Sequence, residues 1–192
     1  MGAWEAPGKT DEWYTPPEVF SALGVTFDLD VASPPGGPPH VPARAYIAPP
    51  RDGLTEPWHG LVWMNPPYGD RNGIRPWLER FTAHGNGIAL LPDRTSAGWF
   101  GYALDHVHGA LFTRARVRFI RPGNHQPHSP SNGTALFAMG AAGMQALRNA
   151  DAAGFGTLLT RPGYTPPNPP PSAAQPRLPL PPAGTPAPHG VT

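Results

Sequence analysis

The chain has no cysteine. That excludes disulfides, cysteine-ligated zinc and thiol nucleophiles, and it fits a reducing compartment. Lysine is almost missing too: Lys9 is the single one among 14 basic residues. With 14% charged residues and a net charge of +1, the composition indicates neither a highly charged disordered chain nor a coiled coil. The overall charge balance does not mark a nucleic-acid binder. No apolar run reaches the ~20 residues of a membrane-spanning helix, and the first residues lack a signal-peptide pattern, so a soluble protein is expected. There is no phosphate-binding Gly-Lys-Ser/Thr loop and no Gly-x-Ser-x-Gly elbow. Eight histidines are present, but no pair has metal-ligand spacing with a third ligand, and no metal is predicted.

What the chain has in quantity is 30 prolines and 23 glycines among 192 residues. Twelve of the prolines fall in residues 161–192. Such a stretch has few N–H donors and little to bury, so it reads as a disordered or polyproline-type tail behind a single domain over residues 1–160. Within that domain, short apolar runs alternate with helical spacing. Thr15-Pro16-Pro17-Glu18 opens a helix with Thr15 as expected N-cap, and Gly24 closes it. Strands are expected over Thr26–Ala32, Ala45–Ile47, Leu61–Met64, Gly87–Leu91, Ala110–Phe112, Val117–Ile120 and Thr134–Met139. Helices are expected over Ile74–His84, over Ala97–His106 with Thr95 or Ser96 as cap, and over Ala142–Asp151. Asn124–Asn132 is polar and proline-broken and reads as a loop. This alternation predicts an α/β fold, one sheet with helices on both faces, whose sites form at loops leaving the carboxyl ends of strands.

One such loop carries chemistry. Asn65-Pro66-Pro67-Tyr68 follows directly on the apolar run Leu61–Met64. Two successive prolines fix their own backbone and restrict the residues before them, so the loop is stiff. It holds an amide, backbone carbonyls and an aromatic ring in fixed relation, the pre-organised polar groups that base modification needs. The amino group of adenine is a poor nucleophile because its lone pair is delocalised into the ring. Acceptors on its two hydrogens, the Asn65 side-chain oxygen and the Pro66 carbonyl, would favour a pyramidal nitrogen, and Tyr68 would stack on the base. A base inside a duplex cannot reach such a loop, so the reading implies flipping, at a cost of a few kcal/mol.

The sequence resembles the phage-type DNA adenine-N6 methyltransferases, within the S-adenosylmethionine (SAM)-dependent amino-methyltransferase superfamily. The matching segments are Trp13-Tyr14-Thr15-Pro16-Pro17, Phe27–Ser33, Asp52-Gly53-Leu54 with Trp58, Asn65–Gly69, Leu91–Thr95 with Trp99-Phe100, and Arg116–Phe119. The resemblance implies a Rossmann-like sheet, SAM as cofactor, DNA as partner and the cytoplasm of a bacterial host cell. It places Asn65, Pro66, Pro67 and Tyr68 at the target base, and Tyr14, Thr15 and Pro16 at the cofactor's methionine end. It places Asp30 in the first cofactor motif, and Asp52 with Leu54 at the cofactor adenine. Two departures stand out: Asp30-Val31-Ala32-Ser33-Pro34 reaches no glycine until Gly36, and there is no separate target-recognition domain.

Arg114, Arg116 and Arg118 alternate with Ala115, Val117 and Phe119 on a predicted strand, and Arg121 completes a basic strip within eight residues. Their shared face is either a solvated surface or a phosphate-contacting one; the latter is preferred for Arg116 and Arg118. Arg94 either contacts phosphate or pairs with Asp93. Asp28 shares a face with Asp30 but reads as structural, and most tryptophans read as core. The same loop chemistry serves the amino group of cytosine, RNA or a protein amide. A non-catalytic binding module on a degenerate methyltransferase fold is the reading from a different class.

Overall fold

The four-residue run Phe27–Asp30 forms the first strand, β1, between polar and proline-rich neighbours. The chain is a computed structural model in which residues 13–68, 73–121, 124–128 and 132–164 are described. The other strands are β2 (Ala43–Tyr46), β3 (Val62–Met64), β4 (Gly87–Pro92), β5 (Gly109–Thr113), β6 (Phe119–Arg121), β7 (Asn124–His128), β8 (Thr134–Met139) and β9 (Gly156–Thr160). The helices are α1 (Pro17–Leu23), α2 (Arg75–His84), α3 (Gly98–His106) and α4 (Gly140–Ala152). Gly24 stops α1 as expected, because at φ 63° it takes the left-handed conformation and its N–H reaches the Phe20 carbonyl.

Seven strands form one mixed sheet in the order β2-β1-β3-β4-β8-β5-β9. The first four run parallel, β8 runs antiparallel between β4 and β5, and β9 pairs antiparallel on β5. Strand β3 is three residues long and all three are buried, yet they face different ways. Val62 and Met64 pack with Trp77, Leu78 and Phe81 of α2 and Phe100 and Ala103 of α3. Trp63 packs with Val19, Phe20 and Leu23 of α1 and Met144 and Leu147 of α4. Period-two alternation along the strands thus gives the sheet two apolar faces, each covered by a helix pair. The second face centres on Trp63, whose ring lies 4.8 Å from Phe20 and 5.4 Å from Phe27. Fully burying side chains of this size contributes about 1.5–3 kcal/mol each. This is a Rossmann-like α/β domain, the fold class expected from the sequence. Among the described residues no helix is long and apolar enough to cross a membrane.

Several local expectations are corrected. The N-cap of α1 is Pro16, not Thr15, and it makes no side-chain cap hydrogen bond. The N-cap of α3 is Ala97, not Thr95 or Ser96, again without a side-chain cap. The strand expected over Val117–Ile120 begins only at Phe119, although Val117 and Phe119 are buried while Arg116 and Arg118 are exposed. Part of the expected Asn124–Asn132 loop is β7, which pairs with β6 in a separate hairpin. Strand β9 is unanticipated. After it, Arg161–Tyr164 turns back so that the Tyr164 ring stacks on His108 at 4.5 Å. The expected tail lies, from residue 165 on, outside the described residues.

Strand order decides where a site forms. From β1 the chain moves to β2 on one side, and from β3 to β4 on the other. The carboxyl ends of β1 and β3 are therefore neighbours, with Asp30 in register with Trp63. Parallel sheets open a crevice at such a reversal.

Candidate active site

Asn65-Pro66-Pro67-Tyr68 leaves the carboxyl end of β3 at this crevice. Asn65 is clamped at both ends of its carboxamide. Its Nδ2 donates to Thr15 Oγ1 at 3.2 Å, and its Oδ1 accepts from the Tyr68 hydroxyl at 2.6 Å. The Tyr68 hydroxyl also lies 2.9 Å from the Leu90 carbonyl of β4. One phenolic proton is thus offered to two acceptors, which ties the loop to the next strand. The hydroxyl end is buried, and that desolvation raises its pKa well above the usual tyrosine value, so it stays a donor. The residue as a whole is nevertheless 37% exposed. Tyr68 therefore anchors its polar tip inside and presents ring surface outside.

Asp30 ends β1 across the crevice and is 2% exposed. Burial pushes its carboxyl up to about 6; the Ala32 amide, 3.2 Å from Oδ1, and the adjacent Ser33 hydroxyl pull in the opposite direction. Ser33 Oγ is itself buried and makes no well-formed hydrogen bond among the described residues. Asp28, two residues earlier, behaves differently. It accepts from the Leu61 amide at 2.8 Å and pairs with Arg44 at 2.7 Å, and its pKa is lowered, mainly by the Leu61 bond. It ties β1 to its neighbours, while Asp30 and Ser33 keep polar capacity for something else.

That capacity opens into a pocket lined by Tyr14, Thr15, Asp30, Asn65, Pro66, Pro67 and Tyr68, seven of the ten residues expected at the base or the cofactor. Trp13, Ser33, His40 and Trp63 also line it, and were not singled out for this role from the sequence. Trp13 and Ser33 lie inside the quoted motifs. His40 had no signal beyond its place in the proline-rich β1–β2 connection. Among the described residues no lysine or arginine lines the pocket. An acidic group, an unsatisfied hydroxyl and aromatic walls suit a neutral or cationic nucleoside-like ligand and offer no cradle for phosphate. This donor set fits SAM, whose sulfonium and ammonium are positive and whose ribose and adenine are polar and flat.

Three expected cofactor residues do not line this pocket. Pro16 is the N-cap of α1, beside Thr15 but not in the pocket lining. Asp52 and Leu54 do not line it either. Leu54 packs with the α2–α3 side of the sheet, as does Ala32 of the pocket, whereas Trp13, Val41 and Trp63 of the pocket belong to the α1–α4 side. Asp52 accepts from the Leu54 amide at 2.9 Å and so folds its own loop. Arg80 of α2 holds that loop by donating to the carbonyls of Leu54 and Glu56, and Trp58 Nε1 donates to the Gly53 carbonyl at 2.7 Å.

Arg94 follows β4 at the same sheet edge as Asn65; it is exposed and forms no ion pair among the described residues. Arg116 and Arg118, both exposed, follow β5, whose carboxyl end lies at that edge too. They lead into β6, where Ile120 exchanges two backbone hydrogen bonds with Tyr14, at 2.9 and 3.0 Å. The basic segment is thereby tied to the pocket wall. The side chain of Arg121 lies outside the described residues. No three His, Asp or Glu residues are grouped to hold a metal among the described residues.

A protein-family model described as DNA N-6-adenine-methyltransferase (Dam) matches residues 6–145, well over half of the chain. The match spans the whole pocket and both arginine segments. No curated protein and no solved structure matches the chain.

Proposed function

This chain belongs to the DNA N-6-adenine-methyltransferase family, and from that premise we propose that it transfers a methyl group from SAM to the exocyclic amino group of an adenine flipped out of DNA. The observation that carries the reading is the clamped Asn65 at the switch point, with its Oδ1 held by the Tyr68 hydroxyl and its Nδ2 by Thr15. An amide oxygen has two lone pairs. One accepts from Tyr68; the other is left for an amino hydrogen of the base. The Pro66 carbonyl takes the second amino hydrogen. Together they localise the lone pair on the nitrogen, while the Tyr68 ring stacks on the base and Pro67 keeps the loop rigid. SAM, when bound, supplies the electrophilic methyl group.

The residues that would hold it are Tyr14, Thr15, Pro16 and Asp30, with Ser33 added by its buried hydroxyl. Asp52 and Leu54 would join only at the far side of the crevice, from the loop seated by Arg80. Arg94, Arg116 and Arg118 would contact DNA phosphates along the same sheet edge. Most of the rate then comes from positioning and fixed dipoles, with no covalent enzyme intermediate.

The test is incubation with methyl-tritiated SAM and unmethylated mixed-sequence DNA, followed by digestion to nucleosides. Label in N6-methyladenosine is expected from the native chain. Asn65→Ala should lower it about 100-fold or more, the scale for removing one pre-organised polar group. Label in methylcytosine would overturn the base assignment. Absence of label on DNA despite SAM binding would redirect the search to RNA or protein, and absence of both would favour a non-catalytic module.

A further inference from the structure

Asn65 must show its oxygen, not its nitrogen, to an amino group, and the two ends of a carboxamide are almost the same size. Distances decide which end is which. A contact of 2.6 Å to the Tyr68 hydroxyl suits O–H···O and is short for a neutral N–H···O; 3.2 Å to Thr15 Oγ1 suits N–H···O and is long for O–H···O. Reversing the amide would put both atoms at the wrong distances. Thr15 itself is 4% exposed and has little freedom. The preceding residue is hydrogen-bonded on both sides to Ile120, and the following one opens α1. Its hydroxyl does not cap the helix.

We infer that Thr15 is a positioning residue: its hydroxyl oxygen accepts the Asn65 Nδ2 proton and thereby fixes the amide with Oδ1 toward the target base. This rests on the proposed adenine reaction and adds to it, because the resemblance placed Thr15 against the cofactor. A threonine 50 residues away in sequence thus sets the geometry of the catalytic loop. Valine has nearly the same shape without the acceptor; serine keeps the acceptor without the methyl group.

The experiment compares native chain, Thr15→Val and Thr15→Ser in single-turnover methylation of DNA, in SAM binding by calorimetry, and in hydrogen exchange of the Asn65 side-chain amide by NMR in the unliganded protein. Thr15→Val is expected to slow the methyl-transfer step about 10- to 100-fold, as for a lost buried hydrogen bond to a neutral group. Its methylation rate should fall by more than its SAM affinity does, and its Asn65 amide protons should exchange faster. Thr15→Ser should recover most of the rate and the slow exchange. An active native chain with unchanged Thr15→Val rate but weakened SAM binding would overturn the positioning role alone, as would Thr15→Ser being as slow as Thr15→Val. A native chain that binds SAM but never methylates adenine would overturn the functional reading and this role with it.

Discussion

At the scale of single residues, the sheet treats two carboxylates on one strand in opposite ways. Asp28 meets an amide and a guanidinium and stays easily ionised, whereas Asp30 is almost wholly desolvated, which outweighs its polar neighbours Ala32 and Ser33 and raises its pKa to about 6. An unfolded aspartate titrates near 3.8. Between those values the folded chain holds a proton that the unfolded chain has lost, so Asp30 makes the fold less stable as pH rises from about 4 through 6. Asp30→Asn removes the penalty. It should be more stable than the native chain at pH 7 by roughly 3 kcal/mol, with the difference fading below pH 4. Urea melts at pH 4 and pH 7 check this; equal differences at both would discount burial as the cause. Ligand binding should show the reverse dependence. A cationic ligand favours the carboxylate, so SAM affinity of the native chain should fall below pH 6, and that of Asp30→Asn should stay flat.

At the scale of elements, the loop from Asp52 to Trp58 sits hard against the chain leaving β1. A Cβ on Gly53 would lie 1.9 Å from the Val31 carbonyl and 2.8 Å from the Trp77 ring. Glycine is needed there for close approach, not for an unusual dihedral angle. Gly53→Ala should destabilise by about 1–3 kcal/mol, lowering Tm by roughly 3–10 °C. Gly101→Ala on α3 is the control, since a Cβ there meets nothing, and helix propensity should make it neutral or slightly stabilising. Differential scanning calorimetry of the two variants decides the point; equal Tm values would mean that the loop yields freely. The elements also show why helix starts were misread. Thr15 has the right side chain for a cap, but its hydroxyl is claimed by Asn65, and the proline after it supplies the extended backbone of the cap position.

At the scale of the whole molecule, a net charge of +1 gives no general attraction for DNA. Any attraction has to be local, and the ends of β4 and β5 bring Arg94, Arg116 and Arg118 to the sheet edge where Asn65 leaves β3. The paired substitutions Arg116→Ala and Arg118→Ala should weaken binding similarly for every DNA sequence. They should also reduce the slope of log affinity against log salt by about 1 for each phosphate that an arginine no longer neutralises. SAM affinity should not change. Fluorescence anisotropy across a salt series reads the slope; an unaltered slope would remove these arginines from the interface.

Much was legible in sequence because the relevant physics is local. Apolar runs bounded by glycine and proline mark β3, β4 and β8 whatever surrounds them, and two prolines stiffen the Asn65–Tyr68 loop wherever it lies. Other features depend on partners distant in the chain. Strand β9 is partly exposed and gains its place by pairing with β5 and by packing Leu158 against the α1–α4 core, and β7 is formed by pairing with β6. The pocket depends on strand order, since a reversal between β1 and β3 is invisible in any one segment. What was written in the sequence is the sheet class, the stiff Asn65–Tyr68 loop and the acidic strand end. Only the folded sheet settled that Asp30 is buried, that Asp52 and Leu54 lie outside the pocket lining, and that Thr15 holds Asn65, because each follows from which surfaces the fold brings together.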